Sequence, residues 1–582
     1  MSKLFLSLSV VLCMICSPRN ASAEFDVSPE GPVPIHTYRF AAKSDAELYD
    51  EAVAVACLQG IINREAPVLY VQSHTGYLPE YWLSLFGQEG KWLQGRPLTE
   101  VTDIDELFKM AGTKVKGAVI WDPAVPATVN VATTIAGVEA GIVMSPEFAG
   151  TYREKWNLPV IKDLRNMFDG SQTGSAKNDA YRWAVENYIR RGKCYNHRLF
   201  ISEDAYWARE RGDISYVVVR DWAVQFGSFV FDLSPWADEV PADDPNQPLG
   251  TDKETYELIL SETYKQTAGQ EMTEIAGFFV FSKYAAMPDH PSAHEPVPTE
   301  WESVFLMSPY NCYQNTVASS CYNQSFHSKA PVGPFQQNKE AKDKQLENKT
   351  YLCILMADYD SATPLYEFLY QFWNDPKRGE MPFIWGIDPN LVETYPDIIE
   401  YLYDTATPND YFGADASAAG YMNPNRVHPE HLELFIEHNK KFYDQLDMTL
   451  SPMVLDWDEP TSAVKDAFTR FSPDGLATIV IDFHEGKGRH PEPHVWKGMP
   501  VIELHNGTGG VAPPEPNSKQ MSAHIPASDA GKTSFHFYRI VWTSPSDAMK
   551  TVELVKQMRP ELDIEVLDPY TFFKLFKEYY GR

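Results

Sequence analysis

The chain has 582 residues and a formal net charge of −30, from 80 acidic and 50 basic side chains. This acidity argues against nucleic acid as a partner, because binding phosphates requires clustered lysine and arginine. The length exceeds what one hydrophobic core usually serves, so we expect at least two domains.

The first residues have the order of a secretory signal. Lys3 precedes an apolar run over residues 4–15, and small residues at 21–23 come just before Glu24. This order predicts a signal peptide over residues 1–23 and a secreted or periplasmic protein. The apolar run is too short to cross a bilayer, so we expect no membrane span.

The next part of the chain alternates helix-like and strand-like segments. Ser44 and Glu47 have the spacing of a capping box at the start of a mostly apolar helix. Strands are predicted at residues 67–71, 118–121 and 141–144. We predict an N-terminal α/β domain over residues 24–225. No glycine-rich phosphate loop or nucleophile elbow follows these strands, which indicates a supporting role.

The remaining residues, 226–582, repeatedly run an apolar strand-like segment into an aspartate. The segments are 351–358, 383–388, 453–456 and 477–482. Parallel strands joined by helical crossovers place their C-terminal ends on one face, so these aspartates are candidates for one site.

The number of predicted strands in residues 226–582 favours a barrel. Adding the strand candidates 229–232, 277–281 and 304–307 to the later strands gives roughly what a closed (β/α) barrel needs, with an open doubly wound sheet as the alternative. The predicted fold class is α/β, with the N-terminal α/β domain followed by a (β/α) barrel-like domain.

Acidic and aromatic residues are concentrated at the predicted strand ends. A carboxylate pair can supply a general acid and a base or nucleophile for glycosidic cleavage, and aromatic rings suit sugar faces. The predicted catalytic residues are Asp358, Asp360, Asp456 and Asp482. The predicted substrate-binding residues are Trp385, Asp388, Asp415, Tyr421, Trp457 and His484. For any single aspartate, helix capping or a buried hydrogen bond is the alternative role.

Histidines support a second interpretation. Asp358, Asp360 and several histidines supply the kinds of side chain that bind a divalent metal, as in metal-dependent deacetylation of polysaccharides. These histidines are His484, His490, His494 and His505. Their spacing is loose, and we therefore favour a mechanism with no metal or cofactor. A third interpretation is a carbohydrate-binding protein without catalysis, which would use the same cleft.

Five cysteines follow the predicted signal peptide. Cys312 and Cys321 lie in a loop-like segment and could form a disulfide in an oxidising compartment, whereas Cys57 and Cys353 lie in apolar runs. Because no Cys-x-x-Cys pair remains after residue 23, the sequence argues against a cysteine zinc site.

The most specific string of the sequence spans residues 417–424, Ser-Ala-Ala-Gly-Tyr-Met-Asn-Pro. It resembles the signature of the GxGYxYP family, whose exported members are grouped with the glycoside hydrolases. The matching residues are Gly420, Tyr421 and Pro424. Ala418 replaces the first glycine and Asn423 the second tyrosine. The resemblance implies a carbohydrate substrate and glycosidase activity. Glycine at 420 predicts an unusual backbone conformation or a close approach that presents Tyr421.

Overall fold

The computed structural model describes residues 33–41, 45–72, 77–206, 219–278, 294, 296–316, 321–481, 488–506 and 513–582. Within these ranges, three small parallel sheets precede one large curled sheet.

Two three-stranded parallel sheets form the N-terminal part. In the first, β1 (Ile35–Arg39) lies between β2 (Leu69–Gln72) and β3 (Leu98–Val101). In the second, β4 (Gly117–Ile120) lies between β5 (Gly141–Met144) and β6 (Val160–Asp163). The strands predicted at residues 67–71, 118–121 and 141–144 are thus present.

A four-stranded parallel sheet joins this part to the rest of the chain. Its strands, in spatial order, are β10 (Cys312–Asn315), β9 (Thr273–Gly277), β7 (Arg198–Ile201) and β8 (Phe229–Phe231). Most of the strand predicted at residues 277–281 lies outside the described residues. The predicted boundary between residues 225 and 226 falls between β7 and β8, two strands of this one sheet. The two-domain division stays a prediction.

Ten helices among the described residues accompany these three sheets. They are α1 (Asp45–Ile62), α2 (Leu78–Phe86), α3 (Ile104–Ala111), α4 (Thr128–Glu139), α5 (Pro146–Lys155), α6 (Ala176–Ala184), α7 (Arg220–Phe226), α8 (Thr251–Gln266), α9 (Pro296–Met307) and α10 (Gln324–His327). The strand predicted at residues 304–307 is wrong, because it forms the end of α9. Thr299, Ser303 and Met307, spaced four apart, are fully buried, which is a helical rather than a strand pattern.

The large sheet has a seven-strand parallel path. In spatial order its strands are β13 (Asp410–Gly413), β12 (Phe383–Ile387), β11 (Thr350–Tyr359), β18 (Ser534–Val541), β17 (Met499–Asn506), β15 (Gly475–Val480) and β14 (Leu450–Asp456). Two short strands attach to it, β16 (His494–Trp496) antiparallel to β17 and β19 (Ile564–Val566) parallel to β11.

The two edges of the seven-strand path approach each other. The amide of Ala414 donates to the Leu450 carbonyl at 3.2 Å, and the amide of Ser417 donates to the Met453 carbonyl at 2.9 Å. The sheet therefore curls until β13 meets β14, which agrees with the predicted barrel-like α/β fold. The described path has seven strands, whereas a TIM barrel has eight.

Helical crossovers keep the strands of this sheet parallel. The helices are α11 (Ala362–Glu367), α12 (Leu369–Trp373), α13 (Pro396–Asp404), α14 (Leu432–Gln445), α15 (Ser462–Phe468), α16 (Pro514–His524), α17 (Pro545–Met558) and α18 (Pro569–Tyr580). Helix α17 begins as its sequence indicates, since Ser544 accepts a hydrogen bond from the Asp547 amide and Pro545 takes the first position. The aromatic face of α18 packs on β18 through Phe572, Phe573 and Phe535.

The structure of the cysteines answers the question of a disulfide. All five cysteines of the described residues are buried, and the possible disulfide between Cys312 and Cys321 is not formed. The Cys312 sulfur instead contacts the Tyr310 carbonyl at 3.5 Å, and the Cys321 sulfur contacts Thr363 Oγ1 at 3.2 Å.

Within the part of the chain that the structure describes, every helix is too short or too polar to cross a membrane.

Candidate functional site

Three neighbouring strands of the large sheet bring four of the predicted aspartates together. Asp358 is the penultimate residue of β11 and Asp360 follows the strand, Asp388 follows β12, and Asp415 lies two residues after β13. Their side chains converge because parallel neighbours end on the same face of the sheet.

Asp415 holds the end of β11 in place. Its fully buried carboxyl accepts the Asp358 amide at 2.6 Å and the Tyr359 amide at 3.2 Å. A Cβ on Gly386 would lie 2.5 Å from Asp415 Oδ2, so β12 needs glycine there to make room for this carboxyl. Burial, followed by the charges of Asp360 and Asp358, raises the pKa of Asp415 well above its ordinary value.

Asp358 is fixed from three directions and remains accessible. Its backbone has a left-handed φ of 67°, and its carbonyl accepts the Trp542 indole N–H at 2.7 Å. The Arg539 guanidinium on β18 donates to Asp358 Oδ1. The Asp358 side chain keeps 25% of its surface exposed, so this ion pair faces an open space.

Two further carboxyls share this space and hold protons near neutral pH. Burial first, and then the charge of Asp358, raise the pKa of Asp360 to about 7. Burial, followed by the charges of Asp360 and Asp358, raises the pKa of Glu300 on α9 to about 8. We call Glu300, Asp358, Asp360 and Arg539 the acid site.

Asp388 lies beneath the acid site. It is fully buried, and neither carboxyl oxygen has a hydrogen bond of normal geometry among the described residues. Burial, then the charges of Asp360 and Asp415, raise its pKa well above the ordinary value, although the nearby amides of Asp415 and Gly420 act in the opposite direction. Asp388 is therefore a buried carboxyl whose charged form is disfavoured.

The string at residues 417–424 brings a tyrosine to the acid site. Gly420 has a φ of +99°, and a Cβ there would lie 2.1 Å from the Tyr313 ring. Glycine is therefore required both by the backbone conformation and by the close approach of the ring. The Tyr421 backbone pairs with Gln314 on β10 at 2.8 and 3.1 Å. Burial, then the charges of Glu300 and Asp360, raise the pKa of the Tyr421 hydroxyl, which therefore lies close to both carboxyls.

Asp456 and Trp457 lie at the opposite edge, on β14 and just after it. Asp456 accepts the amides of Asn425 at 2.8 Å and Trp457 at 2.7 Å, and burial raises its pKa to about 7. The Trp457 indole donates to Asn423 Oδ1 at 3.2 Å. Asp456 therefore organises the loop around Asn425, which is the alternative role that the sequence left open.

Of the other predicted residues, one lies in the core and two lie outside the described residues. Trp385 is fully buried, donates to Asp410 Oδ1 at 2.9 Å and packs on Trp373, so it belongs to the core rather than to a substrate surface. Asp482 and His484 lie outside the described residues. Over the described ranges, no group of three or more histidine, cysteine, aspartate or glutamate side chains could hold a metal ion.

The sequence did not identify Glu300 or Arg539 as candidate site residues. Glu300 lies on a helix that was not predicted from the sequence, and its contribution depends on packing near Asp358 and Asp360, which are distant in the chain. The position of Arg539 in the sequence could have indicated a functional or structural role, since it is the single charged residue of the apolar strand β18. A charge in such a strand needs a partner, which is Asp358 here.

Comparisons with known proteins agree with this architecture. Residues 348–577 match the GxGYxYP putative glycoside hydrolase C-terminal domain, and residues 115–191 match the GxGYxYP_N second domain. A solved structure of a putative hydrolase from Bacteroides thetaiotaomicron is similar with a TM-score of 0.69 at 16% identity, covering 94% of this chain and 95% of its own.

A putative polysaccharide deacetylase from Mycobacterium smegmatis covers 42% of this chain and 96% of its own, at 10% identity and a TM-score of 0.30. That similarity is too low to support an argument. None of the curated proteins matches the chain.

Proposed function

Because the chain belongs to the GxGYxYP family of putative glycoside hydrolases, we propose that it cleaves glycosidic bonds, with the acid site as its catalytic centre. The substrate would be an extracellular or periplasmic glycan, since residues 1–23 have the order of an export signal.

The observation that supports this proposal is that the carboxyls of the acid site lie in different electrostatic environments. Glu300 and Asp360 hold protons near neutral pH, whereas Asp358 is paired with the Arg539 guanidinium. Carboxyls whose environments separate their protonation states supply the acid and the base that glycoside cleavage requires.

The roles follow from these states. Glu300 donates its proton to the leaving glycosidic oxygen as the bond from that oxygen to the anomeric carbon breaks. The Asp358 carboxylate either activates a water that attacks this carbon or attacks it directly. After burial, the charge of Asp360 is the next cause that raises the pKa of Glu300, and burial with the charges of Glu300 and Asp360 raises the pKa of the Tyr421 hydroxyl.

The test replaces the acid and the base separately, as Glu300→Gln and Asp358→Asn. Each is expected to lower kcat/KM by about 10² to 10⁴-fold, measured as reducing ends released from a panel of soluble and insoluble glycans. In the parent, kcat/KM is expected to fall as pH rises past about 7 to 8, because the proton donor is then lost.

Glu254→Gln, on the exposed face of α8, serves as the control and should retain full activity. Unchanged turnover in Glu300→Gln would contradict the assigned role. A parent that binds glycans but releases no reducing ends from any of them would instead indicate a carbohydrate-binding protein without catalysis.

A further inference from the structure

A cavity lies on the large sheet, lined by residues other than those of the acid site. It has a volume of about 420 Å³ and opens between β17, β18 and the C-terminal ends of α16 and α18. We call it the histidine pocket, and its polar and aromatic walls include His490, Glu503, His505, His524, Asp529, Lys532, His536, Tyr579 and Tyr580. His536 and Arg539 are three residues apart on β18, so their side chains point to opposite faces of the sheet.

His536 presents an unused acceptor to this pocket. Only 8% of the residue is exposed, and Nε2 lies 2.9 Å from Asp529 Oδ2. Since a carboxylate can only accept, Nε2 carries the proton. Burial lowers the pKa of His536, which keeps the ring neutral, so Nδ1 has a bare lone pair. Nδ1 is buried and has no partner among the described residues.

The other polar walls also favour a ligand that donates hydrogen bonds. Glu503 contacts His490 Nδ1 at 3.1 Å, and Asp529 faces His536. Burial, then the neighbouring imidazoles, lower the pKa of His505 to about 4, so this ring is neutral as well. Lys532 is the single lysine or arginine of this lining, beside the carboxylates of Glu492, Glu503 and Asp529, so the charges of the pocket disfavour an anion. Carboxylates and neutral imidazoles accept hydrogen bonds from hydroxyl groups.

Aromatic rings complete the pocket. The His505 and His524 rings stack at 5.2 Å with a tilt of 28°, and the Tyr579 and Tyr580 rings lie 4.8 Å apart. Tyr579 is 38% exposed, so one of these rings is open to a ligand. Acceptors beside aromatic faces match a sugar, which offers hydroxyl donors at its edge and C–H groups on its face, and the volume suits a small ligand.

We infer that the histidine pocket binds a neutral carbohydrate and is a second sugar-binding site separate from the acid site. Ligand hydroxyls donate to His536 Nδ1 and to the carboxylates of Glu503 and Asp529, while a sugar ring lies against Tyr579. This inference shares the ligand class of the proposed function and does not depend on cleavage.

The test is affinity electrophoresis of the full chain through native gels that contain amylopectin, xyloglucan or galactomannan. The Glu300→Gln variant is used throughout, so that cleavage does not alter the gel. We expect retardation by at least one of the three polysaccharides, and at least about tenfold weaker binding when Asp529→Asn or Tyr579→Ala is added.

The control is Tyr195→Ala, since Tyr195 is also 38% exposed but lies outside the pocket, and it should leave the retardation unchanged. Melting temperatures within a few degrees of the parent show that the variants are folded. Retardation without any hydrolysis by the parent would contradict only the proposed function.

Three results would overturn the inference. The first is no retardation of the Glu300→Gln protein in any of the three gels. The second is retardation of both pocket variants to the same extent as the Glu300→Gln protein. The third is loss of retardation in EDTA, which would assign the pocket to a metal ion instead.

Discussion

At the scale of single residues, unusual backbone conformations surround the acid site. Asp358, Ser417, Ala418 and Gly420 all have positive φ, from 67° to 103°. Each such conformation costs a residue other than glycine about 1 to 3 kcal/mol, so the surrounding packing must hold it. Ala418, which replaces the first glycine of the family signature, has a φ of 103° and so keeps the conformation that glycine prefers.

The close approach at Gly420 predicts a large cost for a single methyl group. Gly420→Ala is expected to lower the free energy of unfolding by about 3 kcal/mol, measured by urea denaturation, because it adds a steric clash with Tyr313 to backbone strain. Gly498→Ala is the matched control, since Gly498 has a φ of +92° and a methyl group there would have no other atom within 4 Å. Equal costs in the two variants would show that no clash occurs at Gly420.

At the scale of secondary structure, the order of the strands builds the site. Asp358 and Asp388 are neighbours because β11 pairs with β12, and Arg539 reaches Asp358 because β18 pairs with the other side of β11. The curl of the sheet then depends on the contact between its edges. Ser417 makes that contact, since its hydroxyl donates to the Leu455 carbonyl at 3.1 Å and accepts the Leu455 amide at 3.0 Å.

Removing this hydroxyl should loosen the closure of the sheet. Ser417→Ala is expected to lower the free energy of unfolding by about 1 to 3 kcal/mol, because it leaves the buried Leu455 amide unpaired, whereas the Leu455 carbonyl still accepts from Asn423 Nδ2 at 3.3 Å. Amide hydrogen exchange should quicken in β14. Ser518→Ala, a buried serine whose hydroxyl donates within α16 at 2.9 Å, should cost less and leave β14 unchanged. Unaltered exchange in β14 would contradict a closing role for Ser417.

At the scale of the whole molecule, burial gives several acids a raised pKa. The pKa is raised to about 7 or 8 in Asp221, Glu300, Asp360 and Asp456, and burial also raises the pKa of Asp388 and Asp415 well above its ordinary value. In the unfolded chain these groups titrate near 4. The folded protein therefore binds more protons than the unfolded chain above pH 4, and stability falls as pH rises through 7 to 8.

The melting temperature should accordingly be higher at pH 6.5 than at pH 8.0, by at least about 3 °C. Buried histidines with a lowered pKa, such as His438, act in the opposite direction, but most of their effect falls below their unfolded-state pKa of about 6.5, so the acids set the sign between pH 6.5 and 8.0. Asp221→Asn removes one titrating acid, which accepts the Ser325 amide at 2.9 Å, and should reduce the difference. A melting temperature that rises between pH 6.5 and 8.0 would contradict the raised pKa values.

Local patterns in the sequence predicted much of the fold and part of the site. Strands that end in aspartate indicated where Asp358 and Asp388 would lie, because side-chain position at a strand end follows from the chain itself. The same reasoning placed Trp385 in a substrate cleft, whereas the structure buries it in the core. Alternation along a strand shows that two faces exist, but it does not show which of them a helix will cover.

The sequence alone determined the alternation of helices and strands, the acidic strand ends and the glycine at residue 420. These depend on residues close together in the chain. Only the tertiary structure decided that Glu300 and Arg539 join Asp358, that Asp456 bonds to loop amides, and that the sheet edges meet at Ser417. Those contacts join residues far apart in the chain, and their protonation depends on burial, which arises when the whole chain packs.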